Sequence, residues 1–315
     1  QNGIDIGLSG NYKLLDEVGQ WLLVRKNLGK FNLDYYRPLG NPTKFIHALL
    51  KHFSRCKDEL IFPEDYLKYA EERKLNADSA DFIEDSEILR VNEVANAYHV
   101  YQNLLLKNNA LDFGDLINYA FKLFQARPAI LQYYRNKFKY ILVDEFQDTN
   151  FAQYELVKQL AALKNNLTVV GDDDQSIYKF RGASVSNIMR FKEDFKDAKE
   201  VVLVNNYRTV QPMLDLAYNF IQKNNPDRLE SKLGIVKKLI SQVDGAGEIQ
   251  HFHGKEVDDE TGFVVDKILE LKKNDEALLW SDFAILVRAN DSADIFNRHL
   301  FQAKIPLQFV ALKGL

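Results

Sequence analysis

The 315-residue chain has one cysteine, two methionines, two tryptophans and seven prolines. A lone cysteine, Cys56, excludes an internal disulfide and fits the reducing cytosol. Cys56 also falls on the apolar stripe of a helical pattern, where a small core residue is expected rather than a nucleophile. No run of about 18 apolar residues occurs, so no membrane span is expected. The opening residues, Gln1-Asn-Gly-Ile-Asp-Ile-Gly7, lack the basic and apolar regions of a signal peptide. There is no excess of positive charge: 41 basic against 45 acidic residues leave a net charge of −4. That argues against a globally basic nucleic-acid binder but leaves room for a local basic or aromatic groove. The chain opens on Gln1 rather than Met and stops at Lys313-Gly-Leu315 within a strand-rich pattern. A fragment of a longer protein is expected, with a mature, processed N-terminus as the alternative.

What is present is ordinary for a globular protein, with 46% hydrophobic and 27% charged residues. The length suits about two domains. Phe45, Ile46, Leu49, Leu50, Phe53, Cys56 and Leu60 recur at helical spacing and predict an amphipathic helix over 43–60. Residues 63–87 hold nine Asp or Glu against three Lys or Arg and read as a solvated helix or loop. Val91, Val94, Tyr98, Tyr101 and Leu105 share one face of a second helix near 89–107. Together these make an all-helical block, about 35–105, set between α/β segments.

Beyond that block, short apolar runs alternate with helical patterns. Tyr140–Val143, Leu167–Val170 and Val201–Val204 predict strands, with helices at 151–164 and 184–198 between them. Such alternation implies βαβ units and a parallel sheet. A polar linker around Asn224–Asp227 and Ser241–Gly247 leads to a second α/β unit. There Glu248–His253, Phe283–Val287 and Leu307–Val310 read as strands. Val264, Val265, Ile268, Leu269 and Leu271 read as a buried helix face, and 291–303 as a helix. Trp21 and Trp280 are expected in cores or interfaces. His251 and His253 point to one face, yet no third metal ligand is evident. The basic run Lys232–Lys238 is expected to be a solvated helix face.

The chemistry concentrates in three stretches. In Tyr140-Ile-Leu-Val-Asp-Glu-Phe-Gln-Asp-Thr-Asn150 an apolar strand, expected to be buried on both faces, runs straight into Asp144 and Glu145. Carboxylates at that end of a strand sit where open α/β sheets bind ligands. In a nucleotide-hydrolysing fold one such carboxylate helps hold Mg²⁺ and the other orients or deprotonates water. On these residues alone a solvated acidic turn is an equal alternative. In Val169–Ala183, Gly171 allows a tight turn, Asp172–Asp174 and Gln175 follow at the ligand edge, and Tyr178, Phe180 and Arg181 suit stacking on single strands. Core packing of those aromatics is the alternative. Lastly, Val201–Thr209 delivers Tyr207 and Arg208, able to stack on a base and to bind a phosphate.

Together these segments resemble the UvrD/Rep/PcrA family of superfamily 1 DNA helicases. Val143-Asp-Glu-Phe-Gln-Asp-Thr-Asn150 is similar to its Walker B motif, Gly171–Ala183 to its third motif and Asn206-Tyr-Arg-Thr209 to its fourth. Ala110-Leu-Asp-Phe-Gly-Asp-Leu116 matches a signature ahead of Walker B, and Asp282–Asn290 a strand of the second motor domain. Order and spacing agree from about Gly7 to Leu315. Phe180 stands where the family often has Trp, and Asn205 where it has Gln.

The resemblance implies an α/β fold with a RecA-like, P-loop NTPase motor core. Residues 1–34 and 106–225 would form the first RecA-like domain, 35–105 a helical insertion, 226–244 a linker and 245–315 the start of a second, incomplete RecA-like domain. ATP and Mg²⁺ are the implied cofactors. Asp144 would help hold Mg²⁺, Glu145 would activate water, Gln175 would sense the γ-phosphate, Arg208 would contact it and Tyr207 would stack near the adenine. Tyr178 and Phe180 would stack on DNA bases, with Arg181 coupling the two sites. The implied activity is 3′-to-5′ translocation on single-stranded DNA and unwinding at single-strand/duplex junctions, in bacterial cytoplasmic repair or replication restart. A helicase-nuclease motor of the AddA/RecB type and a non-catalytic DNA-binding remnant are the alternatives. No G-x-x-x-x-G-K-[ST] phosphate loop occurs in the 315 residues. Without its N–H groups and lysine the triphosphate has no cradle, so this polypeptide alone is expected not to hydrolyse ATP.

Overall fold

The computed structural model describes residues 2–75, 82–176 and 186–310. In chain order these form β1 (Lys13–Leu14), α1 (Glu17–Lys26), α2 (Ile46–Asp58), α3 (Pro63–Leu75), α4 (Phe82–Lys107) and β2 (Ala110–Leu111). Next come α5 (Phe113–Ala126), α6 (Pro128–Lys137), β3 (Ile141–Val143), α7 (Phe151–Ala161), β4 (Leu167–Val169) and α8 (Ser186–Asp194). The remainder is β5 (Asn205–Asn206), α9 (Gln211–Ile221), α10 (Leu229–Leu233), β6 (Ile240–Ser241), α11 (Val257–Asn274) and α12 (Ala293–Gln302). The chain divides into two compact units, residues 1–203 with 221–237, and residues 204–220 with 238–315.

The first unit is organised around the predicted apolar helices. Ile46, Leu49, Leu50, Phe53 and Cys56 on α2 are buried together with Val94, Tyr98, Tyr101 and Leu105 on α4. Phe53 stacks on Tyr98 with ring centroids 5.0 Å apart and on Tyr101 at 5.4 Å. Both tyrosine hydroxyls keep partners: Tyr98 donates to the Ile61 carbonyl and Tyr101 to Asp112. A buried hydroxyl without one would cost about 1–3 kcal/mol. Burial pushes the Cys56 thiol up to about 11, which suits the core role and opposes a nucleophilic one. The described parts of the acidic segment 63–87 are helical, Pro63–Leu75 in α3 and the residues from Phe82 in α4, with α3 packed along α4.

Helix starts are written in short polar signals. Asp16 accepts from the Gly19 N–H at 2.7 Å and caps α1. Reciprocal capping boxes, Asp112 with Asp115 and Asn150 with Gln153, open α5 and α7. Each cap satisfies N–H groups that the helix itself cannot.

Three two-stranded parallel ladders are present among the described residues: β1 with β2, β3 with β4, and β5 with β6. The strand expectations are only partly met. In β3, Ile141 and Val143 are half-buried but Leu142 is 76% exposed, so this apolar run is not covered on both faces. Val201–Val204 carries no ladder of its own; pairing begins immediately after it, at Asn205–Asn206. Glu248–His253, Phe283–Val287 and Leu307–Val310 likewise pair with no described strand. An apolar run reports preference for an extended chain, whereas a strand needs a neighbour at ladder distance, which local sequence does not encode.

The second unit has its own small core, in which Val265 and Ile268 of α11 meet Leu300 of α12 and Ile305. Trp280 and Phe283 pack against its edge. Phe252 stacks on Phe263 at 4.1 Å.

Candidate active site

β3 and β4 run parallel in the register Val143 opposite Val169, so both end at the same edge. Bonds continue past the ladder: Val170 N–H donates to the Val143 carbonyl at 2.8 Å, and Phe146 N–H to the Val170 carbonyl at 2.9 Å. These bonds pin the start of the Asp144–Glu145 turn. Glu145 is held left-handed, with φ 48° and ψ 45°. That conformation costs a non-glycine residue about 1–2 kcal/mol and persists only where neighbours enforce it. Asp144 Oδ1 accepts from the Glu145 N–H at 2.9 Å. Both carboxylates are exposed, and neither takes part in an ion pair with a described lysine or arginine.

Gln147 lies beneath the pair, 0% exposed. Its Nε2 donates to Glu145 Oε2 at 2.6 Å, and its Oε1 accepts from the Asp172 N–H at 2.9 Å. Gly171 makes room for this amide. A Cβ there would stand 2.9 Å from Gln147 Oε1 and 3.3 Å from the Gln147 backbone nitrogen. Its glycine therefore serves close approach, and the expectation of a turn needing glycine's backbone freedom is corrected. On the other side Asp172 Oδ2 accepts from Gln175 Nε2 at 2.9 Å. Glu145 and Gln175 thus lie at the two ends of one hydrogen-bonded path through Gln147 and Asp172. The sequence reading missed Gln147, although it stands inside the same Asp-Glu-Phe-Gln run.

The three aspartates after Gly171 are not free ligands. Lys237 Nζ lies 2.6 Å from Asp172 Oδ1, 2.5 Å from Asp173 Oδ1 and 2.8 Å from Asp174 Oδ2. The basic run Lys232–Lys238 is therefore not a wholly solvated helix face: α10 ends at Leu233, and the Lys237 side chain is only 15% exposed. Carboxylates clustered at one point draw in a cation, which charge counting along the sequence could not locate.

Flanking residues stiffen the same edge. Asp148 Oδ1 is buried with no hydrogen-bond partner among the described residues, and burial together with the Glu145 charge raises its carboxyl above the ordinary range. Asn187, 1% exposed, donates to the Thr149 carbonyl at 2.9 Å. Asn150 Nδ2 donates to Asp58 Oδ1 at 2.7 Å. Burial above all, then the neighbouring Glu59 charge, pushes the Asp58 carboxyl up to about 7.

In the second unit Asn206 ends β5, and its Oδ1 accepts from the Arg208 N–H at 3.0 Å and the Thr209 N–H at 2.8 Å. This Asx turn presents Tyr207, 75% exposed, and Arg208, also exposed. Tyr178, Phe180 and Arg181 lie outside the described residues.

The family described as UvrD/REP helicase N-terminal domain matches residues 2–196. The chain belongs to the UvrD/REP helicase family. A second family, UvrD-like helicase C-terminal domain, matches residues 201–314. The chain is 37% identical over 305 residues to the ATP-dependent DNA helicase PcrA of Staphylococcus epidermidis, covering 97% of this chain and 38% of that protein. It is 37% identical over 306 residues to PcrA of Bacillus subtilis, covering 97% of this chain and 37% of that protein. To PcrA of Leuconostoc citreum it is 35% identical over 312 residues, covering 98% and 37%. The chain thus spans under two-fifths of the length of these relatives.

Membership carries the α/β RecA-like fold, with which the parallel ladders and flanking helices agree. It also bears on ATP and Mg²⁺. Magnesium takes hard oxygen ligands and is bound by one or two carboxylates together with substrate phosphates. Asp144 and Glu145 supply carboxylate oxygens that no described lysine or arginine pairs with, so the donor set fits such an ion.

Proposed function

We propose that this chain is part of an ATP-dependent DNA helicase that couples hydrolysis to 3′-to-5′ translocation on single-stranded DNA. It would open duplexes at single-strand/duplex junctions during DNA repair or replication restart in the cytoplasm. The observation that carries this reading is the pair Asp144–Glu145, without an ion-pair partner among the described residues and tied through Gln147 and Asp172 to Gln175. Asp144 would help hold Mg²⁺ on ATP, and Glu145 would take the proton of the attacking water. Gln147 fixes one Glu145 oxygen and leaves Oε1 to face that water. Gln175 would hydrogen-bond the γ-phosphate, a role for which its amide has both donor and acceptor.

Arg208 would clamp the phosphate, and Tyr207 would stack on adenine. Its guanidinium forms no ion pair among the described residues, which supports an anion as partner. Tyr178 and Phe180 would grip bases, with Arg181 between the DNA and nucleotide sites. In this reading residues 1–34 and 106–225 belong to the first RecA-like domain, 35–105 to the helical insertion, 226–244 to the linker and 245–315 to the second RecA-like domain. The 315 residues themselves hold no phosphate loop, so a polypeptide of this sequence alone is expected to lack useful ATP turnover.

The test is Glu145→Gln in a full-length protein carrying this chain. Loss of a general base predicts a fall in DNA-stimulated turnover of about 10²–10⁴-fold, with nucleotide binding largely kept because the metal ligand stays. Equal loss of binding and turnover would contradict the assignment of Glu145 as base.

A further inference from the structure

Segment 228–237, of which Lys237 has been described, carries no chemical role in the proposed reaction, yet its charged side chains bind the Asp172–Asp174 turn at the edge of the site. Arg228 is 3% exposed. Its Nε and Nη2 donate to the two oxygens of Asp174 at 2.6 and 2.7 Å, a bidentate pair. Its Nη1 donates to Glu230 Oε2 at 2.6 Å. Leu229 N–H donates to Asp173 Oδ2 at 2.7 Å, and Lys237 N–H to Glu230 Oε1 at 3.2 Å. Lys237 Nζ then reaches all three aspartates.

Three consecutive carboxylates repel one another, and like charges directly side by side raise one another's pKa. Here the cations win at Asp174. Burial alone would raise its carboxyl, but hydrogen bonds from Arg228 and Lys237 hold it below the usual carboxylate range. Asp172 is where the two sets of contacts meet. Its Oδ1 takes Lys237, while its Oδ2 takes the amide of Gln175. Asp172 Oδ1 also accepts from the Asp174 N–H at 3.1 Å; with Lys237 gone, Asp172 would keep that bond but lose its cation, which loosens the oxygen that holds the Gln175 side chain. Lys237 is also the last residue of the first unit before the chain passes to the second at Lys238.

We propose that Arg228 and Lys237 are positioning residues for Gln175: they clamp the Asp172–Asp174 turn to the segment by which the chain leaves the first unit. The function of the clamp rests on the helicase reading above, since it matters through the γ-phosphate contact of Gln175. The clamp itself is a property of this chain.

Two measurements separate these layers. Hydrogen exchange of the 315-residue chain is followed at the amides of Asp174, Gln175 and Leu229. Lys237→Met is expected to speed their exchange at least about tenfold, as local opening becomes easier. Unchanged exchange overturns the clamp. In the full-length protein, Lys237→Met is expected to lower the kcat of DNA-stimulated ATP turnover at least about tenfold with KM for ATP within about threefold, the pattern of a group acting on the transition state. Lys237→Arg, which keeps the charge, is expected to return kcat to within about threefold of the unmodified protein. Turnover unchanged in Lys237→Met while exchange is faster overturns the positioning role and leaves only a structural one. Should Lys237→Met fail to fold, Arg228→Lys keeps the charge, loses the bidentate geometry and is expected to show the same kcat loss in smaller degree; normal kcat there overturns the proposal. An unmodified protein with no DNA-stimulated turnover would instead defeat the helicase reading, with the exchange result still deciding the clamp.

Discussion

Two pairs of carboxylates in the first unit do opposite things. Lys57, Asp112 and Asp115 are 2%, 6% and 2% exposed. Lys57 Nζ lies 2.6 Å from Asp112 and 2.8 Å from Asp115. Tyr101, Gln102 and the two capping N–H groups take up the rest, so all four carboxylate oxygens have partners. At Asp144 and Glu145 the carboxylates face solvent, no described cation pairs with them, and Asp144 Oδ2 and Glu145 Oε1 accept no hydrogen bond from a described residue. A closed cluster spends its charge on joining α2 to the start of α5. An open one keeps coordination positions for a ligand. Ala110–Leu116, which the sequence marks only as a family signature, belongs to the first kind.

The largest effect is expected from Lys57→Ala, which strands two buried carboxylates. Removing one partner of a buried ion pair costs about 3–5 kcal/mol, read as a lower urea midpoint for the chain. A loss under about 1 kcal/mol would place the cluster in wetter surroundings than its burial indicates. Gly114→Ala attacks the same seam sterically. Its Cβ would stand 2.9 Å from both Cβ and Cδ of Lys57, and overpacking of that kind costs about 1–3 kcal/mol. A neutral result would mean that α2 can slide.

Between the clusters lies Asp58, whose carboxyl is pushed up to about 7. A raised acid pKa means that the folded chain binds the extra proton. Stability from Asp58 is therefore complete below about pH 4 and is lost as pH rises towards about 7. Solvent screening keeps this to about 1–2 kcal/mol. Asp58→Asn is expected to remove that part of the pH dependence in denaturation curves between about pH 4 and 7. The smallest effect belongs to the open pair. Glu145→Gln should change folding stability by no more than about 0.5 kcal/mol, even as it stops turnover. A stability loss as large as that of Lys57→Ala would erase the distinction between the two clusters.

The legible features are those that repeat locally. The α2 stripe buries Ile46, Leu49, Leu50, Phe53 and Cys56 because period 3.6 puts them on one face. The step from apolar strand to Asp144–Glu145 marks the ligand edge because parallel strands end there. Lys237 was misread because its partners stand 63 to 65 residues away in sequence. Gln147 carries no signal of burial, since glutamine is mostly a surface residue. The unpaired runs at Glu248–His253, Phe283–Val287 and Leu307–Val310 show that extended preference does not supply a strand partner.

By itself the sequence determined the helix faces and the order of the motifs that place the chain among UvrD/REP helicases. All of these follow from spacing within a few residues or from short runs. Only the tertiary structure decided which charges are sealed and which stay open, that Gln147 joins Glu145 to the Asp172 turn, and that Arg228 and Lys237 hold that turn. Such contacts depend on distances across the fold and on how much water is excluded, and neither quantity is carried by local pattern.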